Sequence, residues 1–310
     1  MIFFFHGPNS YASRRKLQEM VATYLKKTGS DLGLERIDGS SVGAKELRAA
    51  LRAVPFLSSS RLAIVEYLSS NKKAADEIES IISDVPDTTV VVFYEKEVDR
   101  RTHYYKTLKA KTNDQEFKLL DHSQLVAWVT TKARELGGEI DRSAATELVN
   151  RVGDDQWRLE QELMKLVSYH TAVGRSDVET MVEQAKDDNI FELIEAVASG
   201  QTSQALRRYQ DILASGASEM YVLSMIIWQL RNLLLAKTAG PMPPSQLAKE
   251  AGISPYAAQK AAARQGSFEE DQLRQAFLLS VDTEYKIKTG AASPQELVEL
   301  LIYEVAGVNY

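Results

Sequence analysis

The chain has 310 residues, with 37 Lys and Arg against 43 Asp and Glu, and a net charge of −6. That length allows two or three domains of ~100–200 residues, and a composition 44% apolar and 26% charged supplies both core and surface for a globular protein. The absence of cysteine excludes disulfides, thiolate zinc sites, iron–sulfur clusters and cysteine nucleophiles, and four histidines are too few for a His-rich metal centre.

The N-terminal run MIFFF is apolar but stops at His6-Gly7-Pro8, short of the ~7–15-residue core of a signal peptide. Strands are expected at Ile2–His6, Leu34–Asp38, Arg61–Tyr67, Thr89–Tyr94 and Glu116–Leu120. Several are almost continuously apolar and β-branched, which suits a parallel sheet covered on both faces. Between them, Leu17, Met20, Val21, Tyr24 and Leu25 form one helical apolar face, and Leu47, Ala50, Leu51 and Val54 form a second. This alternation predicts an open α/β sheet.

Beyond about residue 121 no strand is expected. Leu125, Val126, Val129, Ala133 and Leu136 make an amphipathic face, followed by Leu148, Val149 and Val152 and then by Leu159, Leu163, Leu166 and Val167. Capping-box spacing occurs at Ser176/Glu179, Ser267/Glu270 and Ser293/Glu296, the last with Pro294 at the first helical position. The run from Tyr221 to Ala236 is interrupted by Gln229, Arg231 and Asn232, so it reads as a buried helix rather than a membrane span of ~20 apolar residues. The expected organisation is α/β plus all-α, and the expected location is the cytoplasm.

The loop after the first strand, His6 to Lys16, lies where a phosphate-binding loop would be. A working loop needs G-x-x-x-x-G-K-[ST], whereas Ala12 replaces the second glycine here and Ser13-Arg14 replace Lys-[ST]. The strand ends offer only Glu66-Tyr67 and Tyr94-Glu95-Lys96 in place of an acidic pair for magnesium. A strand-to-helix turn without nucleotide chemistry is preferred over an active ATPase. Asp154-Asp155 and Asp187-Asp188 fall at helix starts, where carboxylates favour the positive dipole end. Arg100, Arg101, Lys106, Lys109, Lys111 and Lys118 form the most basic stretch, and a solvated helix face explains it better than phosphate contacts. Residues 246–260 have helix-turn-helix character, but Ala257, Ala258 and Ala261–Ala263 suit close packing better than base reading. No catalytic set, cofactor or metal is expected.

One local feature stands apart. Phe56 and Leu57 are large, adjacent and apolar, set between Pro55 and Ser58-Ser59-Ser60 in the turn before the third strand. They either cap the core beneath the loop or stand exposed. If exposed, burying both in a partner would contribute ~3–6 kcal/mol, at ~1.5–3 kcal/mol per side chain.

In order and spacing the chain resembles the delta-subunit family of the bacterial DNA polymerase III clamp loader. The residues that carry the resemblance in the first half are Phe5-His6-Gly7, Pro55-Phe56-Leu57-Ser58 with Arg61-Leu62, and Val98-Asp99-Arg100-Arg101. They continue with Gly153-Asp154-Asp155, Trp157-Arg158-Leu159, Asn189 to Leu193, Gln229-Leu230-Arg231, Ala248 to Lys260, and Asp282 with Lys286-Ile287-Lys288.

The resemblance implies an AAA+-like α/β domain over residues 1–120, a small helical lid over 121–187 and a helical collar over 188–310. It implies a protein that binds and opens the ring-shaped sliding clamp without hydrolysing ATP, as a non-catalytic subunit of the DNA polymerase III assembly. The family's apolar wedge falls on Phe56 and Leu57, flanked by Pro55 and Ser58. Implied partners are the sliding clamp, sister subunits held through the collar and, through the assembly, primer–template DNA, with no membrane involved.

Overall fold

In the computed structural model, which describes residues 1–54, 60–183 and 186–307, the chain divides into two units, Met1–Leu119 and Leu120–Tyr310. The first alternates β1 (Ile2–His6), α1 (Ser10–Thr28), β2 (Leu34–Asp38), α2 (Ala44–Arg52), β3 (Arg61–Glu66), α3 (Lys72–Asp76), α4 (Ile78–Ser83), β4 (Thr89–Glu95), α5 (His103–Lys111) and β5 (Asn113–Glu116). All five strands are parallel, in the order β2-β3-β4-β1-β5.

Successive side chains of a strand point to opposite faces, and both faces here are apolar. Phe4, Ala63, Val65, Val91 and Phe93 pack with Leu47, Leu51, Ile78, Ile81 and Leu108 of the helices after β2, β3 and β4. On the other face Phe5, Leu62, Ile64, Val92 and Tyr94 pack with Leu17 and Tyr24 of α1 and with Phe117. The result is the expected α/β arrangement, three layers with helices on both sides of a parallel sheet.

The strand expected at 116–120 lies instead at 113–116. Its four residues are all polar and line the sheet edge, bonded only to β1, so no apolar alternation marks them. Phe117, which the sequence places inside the strand, has left it and turned into the core. Leu25 and Val54 were expected on buried faces but are exposed, and Val54 lies past the end of α2.

The second unit contains α6 (His122–Glu135), β6 (Glu139–Ile140), α7 (Arg142–Val152), α8 (Gln156–Tyr169), β7 (Ala172–Val173) and α9 (Arg175–Met181). It continues with α10 (Lys186–Ala198), α11 (Thr202–Ala214), α12 (Glu219–Thr238), α13 (Pro244–Ala251), α14 (Pro255–Arg264), α15 (Glu270–Lys288) and α16 (Pro294–Gly307). β6 and β7 form a parallel pair where no strand was expected; two residues are too few for a periodic signal. One apolar cluster is built from α6 to α9, with Tyr256 against it, and another from α10, α11, α12, α15 and α16. No helix among the described residues is long and apolar enough to cross a membrane.

The capping box at Ser293 forms, with Ser293 Oγ accepting from Glu296 N at 3.3 Å and Ser293 N donating to Glu296 Oε2 at 3.4 Å. The other two do not. α9 begins after Gly174, whose N–H donates to Asp177 Oδ2 at 2.9 Å, and Ser267 ends a short 3₁₀ turn before α15. A box missed by the sequence reading sits at Asp121 and Gln124, at the start of α6.

Candidate functional site

Pro55, Phe56, Leu57 and Ser58 lie outside the described residues, but the chain on either side of them is held by specific bonds. α2 ends at Arg52, and its last carbonyls have no intrahelical donors. Arg61, the first residue of β3, supplies them: Nη1 donates to Ala53 O at 2.6 Å and to Ala50 O at 2.7 Å. Nη2 of the same guanidinium bonds the Glu35 carboxylate on β2. Tyr24 OH on α1 donates to Ser60 O at 3.0 Å. Leu51 of α2 and Leu62 of β3 are buried in the cores on opposite faces of the sheet. Arg61 was legible as a family residue, whereas Tyr24 read only as core and Glu35 carried no signal, since their roles depend on contacts 36 and 26 residues away.

The crevice at the C-terminal ends of β1 and β4, where strand order reverses, is the place for a ligand in an open α/β sheet. Here backbone fills it. Gly7 has φ +122°, and a Cβ there would stand 2.4 Å from Phe117 O. Gly7 N donates to Glu95 O at 3.2 Å, Asn9 N to Phe117 O at 3.1 Å, and Phe117 N to His6 O at 2.7 Å. The Asn9 side chain caps α1 by accepting from Ala12 N, and its Nδ2 donates to Lys118 O at 3.0 Å. Thus the N–H groups of Gly7 and Asn9 are bonded to protein carbonyls.

Arg14 makes the same point with charge. Its guanidinium donates to both Glu66 oxygens at 2.9 Å and to Tyr67 OH at 3.0 Å, and lies 4.3 Å from the Tyr94 ring centre. The Glu66 hydrogen bond raises the Arg14 pKa further, despite partial burial. Arg36 reaches Glu66 as well, at 3.3 Å. The one acid at the tip of β3 is therefore neutralised within the domain. Glu95, at the tip of β4, is buried and accepts from Ser69 N, Ser69 Oγ and Tyr104 OH at 2.8, 2.7 and 2.8 Å. Burial raises its pKa, and burial beside Glu95 raises that of Tyr104 well above the ordinary tyrosine value. Among the described residues no group of three or more His, Asp and Glu could hold a metal.

The basic stretch is mostly paired. Arg101 grips Asp99 through three bonds of 2.8–3.2 Å, holding that carboxyl down at about 2, and Arg100 donates to Glu116 at 2.6 Å. Lys111 bonds Glu79. The helix-turn-helix-like segment is α13, left-handed Gly252, the Ser254 cap and α14. Ala258 and Ala261 are fully buried against Ala236 and Leu247. Lys260 and Arg264 lie over the Phe191 ring at 5.1 and 4.4 Å. These side chains serve packing inside the unit.

Comparison with known proteins agrees across the chain. The family profile for the DNA polymerase III delta subunit matches residues 3–118, and the profile for the C-terminal domain of that subunit matches residues 187–305. The DNA polymerase III subunit delta of Bacillus subtilis is 24% identical, over 99% of this chain and 93% of the relative. The solved structure of the Bacillus subtilis DNA clamp loader delta protein has the same fold, with a TM-score of 0.73 at 23% identity, covering 99% of this chain and 95% of that one.

Proposed function

The chain belongs to the DNA polymerase III delta-subunit family, and we propose on that footing that it binds the ring-shaped sliding clamp and holds it open, without hydrolysing ATP. Phe56 and Leu57, flanked by Pro55 and Ser58, are the gripping residues of this proposal. Burying two such side chains in a partner's pocket supplies ~3–6 kcal/mol, enough to anchor an interface. Opening then follows from differential affinity: a protein that fits the open interface better than the closed one shifts the ring toward opening, with no chemistry of its own.

The observation that carries the non-hydrolysing part is the filled crevice. The N–H groups at Gly7 and Asn9 are bonded to the backbone of residues 95 and 117, and Arg14 occupies Glu66. A nucleotide would have to break these bonds to enter. ATP therefore acts on sister subunits in this proposal.

Residues 121–187 serve as the lid and 188–310 as the collar. The collar assignment is supported by apolar side chains left exposed on its helices: Leu278, Val281 and Tyr285 at helical spacing along α15, and Leu300 and Tyr303 on α16. These suit helix packing against sister subunits. Primer–template DNA is met through that assembly, in the cytoplasm.

Co-purification with the cognate sliding clamp tests the proposal. The isolated chain is expected to retain the clamp equally with and without ATP. Failure to retain it, or retention only with ATP, would overturn the assignment.

A further inference from the structure

The second helix of the helix-turn-helix-like segment, α14, joins two parts of the second unit. Ala258 and Ala261 seat it against Ala236 of α12, and Lys260 and Arg264 lie over Phe191 of α10, so α14 belongs to the α10–α16 bundle. The principal contact between that bundle and the α6–α9 cluster nevertheless runs from α14 to α6. Its centre is the half-buried Tyr256, packed against the α6–α9 core and stacked on the His122 ring at 6.0 Å with the planes 12° apart. The Tyr256 hydroxyl reaches Val149 O only at 3.5 Å, at the outer limit of a hydrogen bond. One ring stack and one long bond resist turning less than an interlocked core does.

Beside this joint lies a cleft of about 940 Å³. Asp154, Asp155, Arg158 and Glu183 line it from α8, the turn before it and the residues just past α9, so that wall carries three carboxylates and one guanidinium. On the bundle side the charged lining residues among those described are Arg231 and Lys260, both cations. Asp155 is engaged in capping α8, accepting from Trp157 N and Arg158 N, and Lys260 is engaged over Phe191. Asp154 and Arg231 make no ion pair or side-chain hydrogen bond among the described residues. Walls of opposite sign attract, and the attraction between exposed groups is modest in water, which suits two arrangements of similar free energy.

We propose that the α6–α9 cluster is poised to close on the α10–α16 bundle, turning at Tyr256 and bringing Asp154 toward Arg231 across the cleft. The joint lies wholly in the second unit, so its test stands apart from the assignment of Phe56 and Leu57 as the gripping pair.

The chain has no cysteine. Gln161→Cys on α8 and Ser203→Cys on α11, both exposed positions, therefore carry a nitroxide pair with one label on each side of the joint, read by pulsed electron paramagnetic resonance on the full chain. The native sequence with these labels is expected to show two distances, that of this structure and that of the closed form. Reversing one wall, by Asp154→Lys or Arg231→Glu, is expected to lower the closed fraction at least about threefold. Both reversals together are expected to restore it to within about twofold. Raising salt from about 0.05 M to about 0.5 M is expected to lower it with no charge reversal.

A single distance at both salt concentrations would overturn the inference. So would a closed fraction that neither single reversal moves, or a double reversal that stays as low as the singles. Hydrogen exchange in α12 and α15 checks that each variant keeps its bundle, and where one does not, the salt series decides.

Discussion

Gly7→Ala is the sharpest probe of the filled crevice. Gly7 has φ +122°, a conformation that costs a residue with a Cβ ~1–3 kcal/mol. The added carbon would also lie 2.4 Å from Phe117 O, and because that atom is backbone the chain at 117–118 must move. Moving it loosens three hydrogen bonds: Phe117 N to His6 O, Asn9 N to Phe117 O, and Asn9 Nδ2 to Lys118 O. At ~1 kcal/mol each, partly retained, the total loss is ~3–5 kcal/mol. Trp128, Trp157 and Trp228 all lie in the second unit, so fluorescence would miss the event; hydrogen exchange of β1, β4 and β5 peptides reads it directly. Exchange there is expected to accelerate at least about a hundredfold. Acceleration below about threefold would refute the close approach and leave the crevice free for a phosphate.

Two further predictions concern charge. Burial raises the Glu95 pKa above its reference value of 4.5, so the folded state holds that proton more tightly than the unfolded chain. Stability contributed there falls as pH rises from 4.5 through the raised folded value. Glu95→Gln should flatten that slope in β4 exchange, and an unchanged slope would contradict the assignment. Asp121 caps α6, and hydrogen bonds led by Gln124 N lower its pKa. Its contribution is therefore present above the unfolded value of 3.8 and lost as pH falls through the folded one. Asp121→Ala should cost about 1 kcal/mol at neutral pH, read by Trp128 fluorescence during denaturation, and no change would show the cap to be idle.

The middle of the sheet was legible because β1, β3 and β4 are apolar on both faces: Ile2–His6 falls where its apolar run puts it, and β3 and β4 within one residue. Leu34–Asp38 also falls as expected, although no residue of that strand is fully buried. β5 was displaced because an all-polar edge strand owes its place to bonding with β1, which periodicity does not record. Capping boxes at Ser176 and Ser267 had the right spacing but the wrong helix starts, since spacing does not say where the first turn closes. At the crevice, the degenerate loop was readable from Ala12 and Arg14. What fills it was not, because Gly7 meets Phe117 and Arg14 meets Glu66 across 110 and 52 residues of chain. Arg61 showed the same limit: its identity was visible, and its two carbonyl partners were not.

Equilibrium titration of the cognate sliding clamp against the native chain and Phe56→Ala/Leu57→Ala tests clamp binding most directly. Clamp gripping by this pair predicts a loss of more than about tenfold, or ~1.4 kcal/mol, with exchange protection in β1 and β4 unchanged. A smaller loss, in a chain that keeps its fold, would contradict it.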